Sequence, residues 1–225
     1  MRGRAIIAAM LLLALPARGD TAMPTASMVT TSMDVAPTLL RLMPGKPGLF
    51  YVSNHGATPL MVEIRPMDWS QREGRDDLVP SATLFTSPPI VTIAPGARQS
   101  VRLLAKKPGS FRLLVSELPD PGSDTGRVKV LLQFSVPVFV GDMGAPLLAW
   151  AARRMGDAIV LRATNNGRAP VKLRGAALGG VALAGGPLYL LAGTARDFTV
   201  AGATSLRVTA QDMLSGRALD ADALP

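Results

Sequence analysis

The alternation of apolar and polar positions is clearest between residues 126 and 140, where the sequence reads GRVKVLLQFSVPVFV. Val, Leu and Phe dominate this stretch and turn residues are nearly absent, so the pattern predicts a β-strand. Because the side chains of a strand alternate between its two faces, the stretch has one apolar row and one mixed row. The apolar row comprises Val128, Val130, Leu132, Phe134 and Val136, and the mixed row comprises Lys129, Leu131, Gln133, Ser135 and Pro137.

Pro137 limits how this strand can be paired. Proline has no backbone N–H to donate, so the strand is expected to have at least one unpaired side at this residue. A long apolar strand at a sheet edge is an aggregation hazard unless something covers it. Two interpretations follow from the stretch alone. It is either a buried strand of an all-β core or an edge that pairs with the backbone of a partner by β-augmentation.

The rest of the chain has the same local character. Short apolar runs such as GLFYVSN, PLMVEIRPMDW and RQSVRLLA are separated by turn clusters such as PGKPG, NHGATP and REGRDD. No segment after the N-terminal region has a long helical period. Several short strands at this spacing predict an all-β protein built as a β-sandwich.

A repeated frame divides the chain into two parts. The pattern N-x-G-x-x-P begins at Asn54 and again at Asn165, each time between two apolar runs. Further along, VTIAPGARQSVRL around Gly96 resembles YLLAGTARDFTV around Gly193. Asn and Gly tolerate positive φ and Pro presets φ, which explains the residue types in the turns. Two matching pairs in the same order predict two tandem sandwich domains.

The N-terminus is typical of a secretory signal peptide. Two arginines precede an apolar run from Ala5 to Ala17, and small residues precede a cleavage point expected after Gly19. The run is too short to span a membrane. We therefore expect an exported protein with no transmembrane segment. Its expected parts are a signal peptide (1–19), a flexible leader (20–32), an N-terminal domain (33–141) and a C-terminal domain (142–225).

Composition excludes some classes of function. The chain carries a net charge of +8, and removal of three arginines with the signal peptide leaves 21 basic and 16 acidic residues, or +5. The basic residues are scattered and only ten aromatic residues are present, so we expect no nucleic-acid binding. With no Cys in the chain, stability must come from buried apolar surface.

No catalytic or metal-binding pattern is present. The single histidine, His55, falls in a predicted turn, and the acidic pair Asp76–Asp77 falls in a charged loop. The sequence has no H-E-x-x-H, G-x-S-x-G or phosphate-binding loop. We therefore expect no enzyme activity, no catalytic residue, no metal and no cofactor.

Taken together, these residues resemble the periplasmic pilus-assembly chaperones of the PapD-like family. The resemblance rests on FYVSNHGATPLMVEIRPMDW, TSPPIVTIAPGARQSVRLL, LLVSELP and VLLQFSVPVFV in the first domain, and on LRATNNG, YLLAGTARDF and RVTAQDMLSG in the second. The second domain and the proline in SVPVFV are closest in style to the archaic branch of that family. The resemblance implies two immunoglobulin-like β-sandwich domains in an L-shaped arrangement and a cis peptide within Ser87–Pro88–Pro89.

The resemblance also implies a function. Such a chaperone caps a secreted pilus or fimbrial subunit by donating a β-strand, and delivers it to an outer-membrane usher. Its location would be the periplasm. The donor residues would be Val128, Val130, Leu132 and Phe134. The alternatives are a structural pilus or adhesin component, or another exported β-sandwich binding module.

Two further sites follow from the resemblance. The family holds the carboxylate at the C-terminus of the subunit with an Arg and a Lys, whose places are taken here by Leu39 and Pro137. The candidate anchors are instead Arg41, Lys129 and Arg102. The resemblance also implies a salt bridge between the two domains formed by Arg102, Glu117 and Asp212.

Overall fold

The computed structural model describes residues 33–119, 130–183 and 188–224, in which every regular element is a β-strand. The predicted all-β fold is therefore confirmed. None of these residues forms a helix long and apolar enough to cross a membrane. The first ten strands are β1 (Met33–Ala36), β2 (Leu40–Leu42), β3 (Pro47–Asn54), β4 (Leu60–Arg72), β5 (Arg75–Pro80), β6 (Leu84–Ser87), β7 (Ile90–Ile93), β8 (Arg98–Ala105), β9 (Gly109–Glu117) and β10 (Gln133–Val140). The remaining strands are β11 (Leu148–Met155), β12 (Ala158–Asn165), β13 (Val171–Leu178), β14 (Val181–Ala182), β15 (Leu188–Leu190), β16 (Ala195–Ala201), β17 (Arg207–Asp212) and β18 (Ala221–Asp222).

The first ten strands form a sandwich of two sheets. Sheet 1 has the order β1-β3-β8-β6, and sheet 2 has the order β2-β10-β9-β4-β5 with β7 paired to β4. Side chains from the facing sides of both sheets fill one apolar core, to which sheet 1 contributes Phe50 and Leu103 and sheet 2 contributes Val62, Leu113 and Val138. In β8 the alternation RQSVRLLA buries every second side chain in this core.

The other eight strands form a second sandwich with its own core. Sheet 3 has the order β11-β12-β16, and sheet 4 has the order β14-β13-β17-β18 with β15 paired to β13. Trp150 and Leu161 from sheet 3 pack with Leu173 and Leu178 from sheet 4. The two apolar cores are separate, so each sandwich buries its own apolar surface.

The N-terminal segment contributes a strand to each sheet of the first sandwich. Strand β1 pairs with β3 in sheet 1, and β2 pairs with β10 in sheet 2. The peptide bond between Ala36 and Pro37, which lies between these two strands, is cis. The Ser87–Pro88 bond is also cis, which confirms the cis peptide expected within Ser87–Pro88–Pro89.

The repeated N-x-G-x-x-P frame makes the same hydrogen bonds in both sandwiches. Asn54 is buried, and its side-chain amide donates to the carbonyls of Thr58 at 2.8 Å and Ile93 at 3.0 Å. Its side-chain oxygen accepts the Gly56 N–H at 2.9 Å, and its backbone N–H donates to the Ala97 carbonyl. One asparagine therefore ties its own turn to the second repeated turn of the sequence.

Asn165 has the equivalent partners in the second sandwich. Its side-chain amide donates to Ala169 at 2.8 Å and Leu190 at 3.1 Å, and its oxygen accepts the Gly167 N–H. Its backbone N–H donates to Thr194. Gly167 is required by close packing, because a Cβ there would overlap the backbone nitrogen of Leu147. The repeat seen in the sequence therefore corresponds to one structural device used twice.

We predict that Asn165→Ala destabilises the protein by about 2–4 kcal/mol, because it leaves several buried backbone groups without a hydrogen-bond partner. The neighbouring Asn166→Ala is the matched control, since that side chain is exposed. Chemical denaturation of both variants measures the difference. Equal stability of the two variants would contradict the role assigned to Asn165.

Candidate binding site

Strand β10 has a free edge. All its residues, Gln133–Val140, pair with β9, but only Val138–Val140 also pair with β2. From Gln133 to Pro137 the second side is paired with no strand of the described part of the chain. The prediction of an unpaired side at Pro137 is therefore confirmed.

The apolar row of β10 extends from the core to the surface. Val136 is buried in the core of the first sandwich, and Phe134 and Leu132 are half-buried against it. Val130, two residues further, is 75% exposed. The strand itself begins at Gln133, so Val130 and Leu132 lie before it and not within it as predicted. Val128 and Lys129 lie outside the described residues.

The outward face of sheet 2 meets the second sandwich through aromatic contacts. Trp69 of β4 stacks on Phe139 of β10 with ring centroids 6.0 Å apart. Tyr189 of β15 packs edge-on against Trp69 at 5.2 Å. Leu191 joins this small cluster, in which Trp69, Phe139 and Leu191 are all buried. An apolar cluster therefore packs the second sandwich onto sheet 2, close to the end of β10.

Gln71 connects the two sandwiches by hydrogen bonds. Its side-chain oxygen accepts the Leu191 N–H and the Thr194 hydroxyl, both at 2.9 Å. Its side-chain nitrogen donates to the Tyr189 carbonyl at 2.9 Å and to Asp76 at 2.8 Å. One side chain thus makes three bonds from the first sandwich to the second.

Arg112 lies on β9 directly opposite Pro137. Its guanidinium lies 3.7 Å from the centre of the Trp69 ring and donates to the Ser135 carbonyl at 3.4 Å. Its other terminal nitrogen is 3.9 Å from a carboxylate oxygen of Asp76, and its side chain is 13% exposed. Burial lowers the pKa of Arg112, and the Asp76 charge opposes that shift. The guanidinium stays charged, because an arginine pKa lies far above neutral pH.

Tyr189 lies among several charged groups. Burial raises the pKa of its phenol, the cations Arg112 and Arg41 oppose that shift, and Asp212 adds to it. The Lys172 ammonium is 5.2 Å from the centre of the same ring. Arg112 and Lys172 therefore lie about 5 Å from the centre of one aromatic ring, and Arg41 is near enough to influence its pKa. We call Arg41, Arg112 and Lys172 the cation cluster.

The three residues expected to form a salt bridge lie in different surroundings. Arg102 is exposed on the outward face of sheet 1, since its neighbours Val101 and Leu103 are buried. The Glu117 carboxylate accepts the Leu132 N–H at 3.3 Å, at the end of β9.

Asp212 is held within the second sandwich. Its carboxylate accepts backbone N–H groups from Lys172 at 3.1 Å, Leu214 at 3.0 Å and Ser215 at 3.2 Å, and also the Ser215 hydroxyl. In the described part of the chain no ion pair joins Asp212 to Arg102. Backbone N–H groups and a hydroxyl therefore surround the Asp212 carboxylate within its own sandwich. The salt bridge of Arg102, Glu117 and Asp212 stays a prediction.

The remaining candidate chemistry is structural. His55 Nε2 lies 2.9 Å from Asp34 on β1, and both side chains are more than half exposed. This hydrogen bond lowers the pKa of Asp34. Within residues 33–119, 130–183 and 188–224, no group of three or more His, Asp or Glu residues is placed to hold a metal ion.

The sequence reasoning missed Arg112, Lys172 and Gln71. Arg112 carried a signal, since it is a single cation inside the apolar strand SFRLLVSE. Its position opposite Pro137 depends on the register between β9 and β10, which the sequence does not show. Gln71 and Lys172 acquire their roles only through contacts between the two sandwiches.

Comparison with known proteins gives a family match for one domain. Residues 32–141 match the model of the PapD N-terminal domain of pili and flagellar-assembly chaperones. No curated protein sequence matches the chain.

Several solved structures share the fold. The structure of the CsuC–CsuE chaperone–tip adhesion subunit pre-assembly complex, from the archaic chaperone-usher Csu pili of Acinetobacter baumannii, aligns with a TM-score of 0.68 and 22% identity, over 84% of this chain and 97% of the matched one. The E. coli chaperone DraB aligns with a TM-score of 0.66 and 14% identity, over 85% and 96%. The Salmonella enterica SafA pilin in complex with the SafB chaperone aligns with a TM-score of 0.65 and 13% identity, over 88% and 94%. These likenesses establish the immunoglobulin-like fold of both sandwiches.

We predict that Gln71→Ala loosens the attachment between the two sandwiches, because it removes three hydrogen bonds and leaves partly buried partners unsatisfied. The expected loss is about 1–3 kcal/mol of the attachment free energy. Small-angle scattering should show a broader distribution of conformations than in the wild type. Gln211→Ala, an exposed glutamine on β17, is the control. Identical scattering profiles for the two variants would remove Gln71 from this role.

Proposed function

We propose, on the premise that residues 32–141 belong to the PapD N-terminal domain family of pili and flagellar-assembly chaperones, that this protein is a periplasmic chaperone for pilus subunits. It caps a secreted pilus or fimbrial subunit by donating β10 and the residues before it, and delivers the subunit to an outer-membrane usher. The N-terminal signal-like sequence would export it to the periplasm. We assign it no catalytic activity.

The observation that supports this proposal is the free edge of β10 with its exposed apolar row. Backbone groups of alternate residues between Gln133 and Pro137 point away from β9 and can pair with a partner strand. Such bonds tolerate variation in the partner's sequence, while alternate side chains select it by filling pockets. An incomplete sandwich that lacks one strand presents the complementary edge and an open groove.

The apolar row provides the side chains for that groove. Val136 anchors the row in the chaperone's own core, Leu132 and Phe134 are half-buried, and Val130 is largely exposed. We infer that the partner's core continues this row, with Val128 as the next member. Each Val, Leu or Phe that becomes fully buried contributes about 1.5–3 kcal/mol, so a complex of this kind needs no nucleotide.

The cation cluster is the proposed anchor for the carboxylate at the subunit's C-terminus. Strand β2 runs parallel to β10 and occupies the same edge from Val138 onward. A partner strand parallel to β10 on the free edge would therefore end beside Pro137, next to Arg112. Arg41 and Lys172 add positive charge around the neighbouring Tyr189 ring. Carboxylates form short, charge-assisted bonds with arginine, which makes this the preferred position for a chain terminus.

Of the three anchor candidates predicted from the sequence, this proposal keeps only one. Arg41 is retained, because it lies on the outward face of sheet 2 beside Phe139. Lys129 lies outside the described residues. Arg102 points outward from sheet 1, on the opposite face of the first sandwich, and is replaced by Arg112 and Lys172.

We predict that Val130→Asp greatly reduces subunit capture. The mature chain is expressed in a bacterial periplasm with candidate pilus subunits, and the proteins that copurify are measured. A charge at this position opposes burial in the groove, and the lost apolar burial alone corresponds to about tenfold or more in affinity. Since Val130 is 75% exposed, folding should be unaffected.

Leu147→Asp is the matched control, because Leu147 is 63% exposed and belongs to the second sandwich. It should capture the subunit as well as the wild type does. Leu132→Asp should also fail to bind, although Leu132 contacts the protein's own core and its stability must be measured alongside. If Val130→Asp binds as well as Leu147→Asp, strand donation is refuted and a general binding module becomes the better description.

We predict that Arg112→Gln and Arg41→Ala each weaken subunit binding by about tenfold or more, since each removes a charge-assisted contact to the terminal carboxylate. Arg102→Ala should leave the affinity unchanged. The decisive comparison uses a subunit whose C-terminus is amidated, because a double-mutant cycle isolates the pairwise interaction. If the arginine variants lose as much affinity for the amidated subunit as for the native one, the carboxylate is not their partner.

A further inference from the structure

The backbone groups of β10 alternate in the direction they face. In an antiparallel ladder, pairs that exchange both hydrogen bonds alternate with pairs that exchange none. The Glu117 N–H donates to the Leu132 carbonyl at 2.8 Å, which makes this a bonded pair. The register between β9 and β10 then places Phe134 and Val136 at bonded pairs as well. The residues at non-bonded pairs, whose backbone groups point away from β9, are Gln133, Ser135 and Pro137.

The other end of the strand gives the same alternation independently. The Gly141 N–H donates to the Leu42 carbonyl of β2 at 2.8 Å. Gly141 lies four residues after Pro137, and backbone direction alternates with every residue. The backbone groups of both residues therefore point to the side of β10 on which β2 lies. Pro137 therefore occupies a position whose N–H would point to the free edge, immediately before the pairing with β2 begins at Val138.

The donors on the described free edge are consequently Gln133 and Ser135 alone. Proline provides no N–H at position 137. The Ser135 carbonyl already accepts a bond from Arg112 at 3.4 Å. The series of backbone donors thus ends at Ser135, and the next positive group along the edge is the Arg112 guanidinium.

We propose that Pro137 is a positioning residue that fixes the register of the donated strand; this rests on the function proposed above. A slip of one residue would turn every side chain of the partner strand to the wrong face, so the apolar pattern already prevents it. A slip of two residues preserves the faces and is opposed only by the backbone. Without a donor at 137, a partner strand that moves two residues toward β2 loses a ladder bond. The proline therefore disfavours the two-residue slip toward β2, which the apolar row does not prevent.

The alternation can be tested on the free protein by native-state hydrogen exchange. The amide protons of Gln133 and Ser135 should exchange about a hundredfold faster than those of Phe134 and Val136, which are bonded to β9. For the same reason Ser135→Pro should fold with nearly unchanged thermal stability, whereas Phe134→Pro should be strongly destabilised. A Ser135 amide as protected as that of Val136 would overturn the assignment.

The register can be tested in the complex, using the subunit that copurifies with the wild type. The chain has no Cys, so a single Cys at Gln133 and single Cys residues along the subunit strand report the register by disulfide formation. The wild-type complex should give one pairing. Pro137→Ala should give a second pairing shifted by two residues, and Ser135→Pro should weaken binding by about tenfold.

The outcomes separate the two proposals. A single unchanged pairing in the Pro137→Ala complex overturns the register role and leaves strand donation intact. Capture of no subunit by the wild type refutes strand donation, and the register role with it. A second pairing shifted by two residues in the Pro137→Ala complex, together with the expected exchange pattern of the free protein, supports both strand donation and the register role.

Discussion

The free edge of β10 is the constraint that links the other features of the candidate binding site. Between Gln133 and Pro137 a row of backbone groups is paired on one side only, next to an apolar row that leaves the protein's own core. Such an edge attracts any other strand. Strand β9 holds one side along the whole length, and β2 covers the far end from Val138. The exposed length is thereby kept short, and its far end is fixed by the fold.

The second sandwich completes this edge by supplying charge. Packing of Tyr189 against Trp69 brings Lys172 from β13 toward Arg112, and the bonds of Gln71 hold the two sandwiches together at that point. The cation cluster is thus a product of the contact between the sandwiches. A protein with the same first sandwich but a looser attachment would keep the edge and lose part of the cluster. The attachment of the sandwiches and the proposed anchor therefore depend on one set of contacts.

Local chemistry allowed much of this to be predicted. Alternating apolar runs identified the all-β fold, and the turn residues around Asn54 and Asn165 identified a repeat whose hydrogen bonds recur in both sandwiches. Features that depend on register or on contacts between sandwiches could not be predicted. Arg112 was overlooked because its position opposite Pro137 is a property of the ladder. The backbone donors around Asp212 could not be foreseen either, because they come from the loop that follows it, which a one-dimensional pattern does not reveal.

In the proposed site, Arg112 on β9 supplies a cation directly opposite Pro137, where the resemblance implied a lysine on β10. A long cationic side chain on the edge strand and one on its neighbour can reach the same space, because cross-strand partners lie about 5 Å apart. With the cation on β9, position 137 holds a proline, which removes a backbone donor from the edge. The Arg112 guanidinium is held by its contacts with the Trp69 ring and the Ser135 carbonyl. A cation on the solvent-exposed edge strand would have fewer such contacts. The same end of the edge thus gains a rigid cation and loses a backbone donor. Both changes favour a partner strand whose ladder ends there.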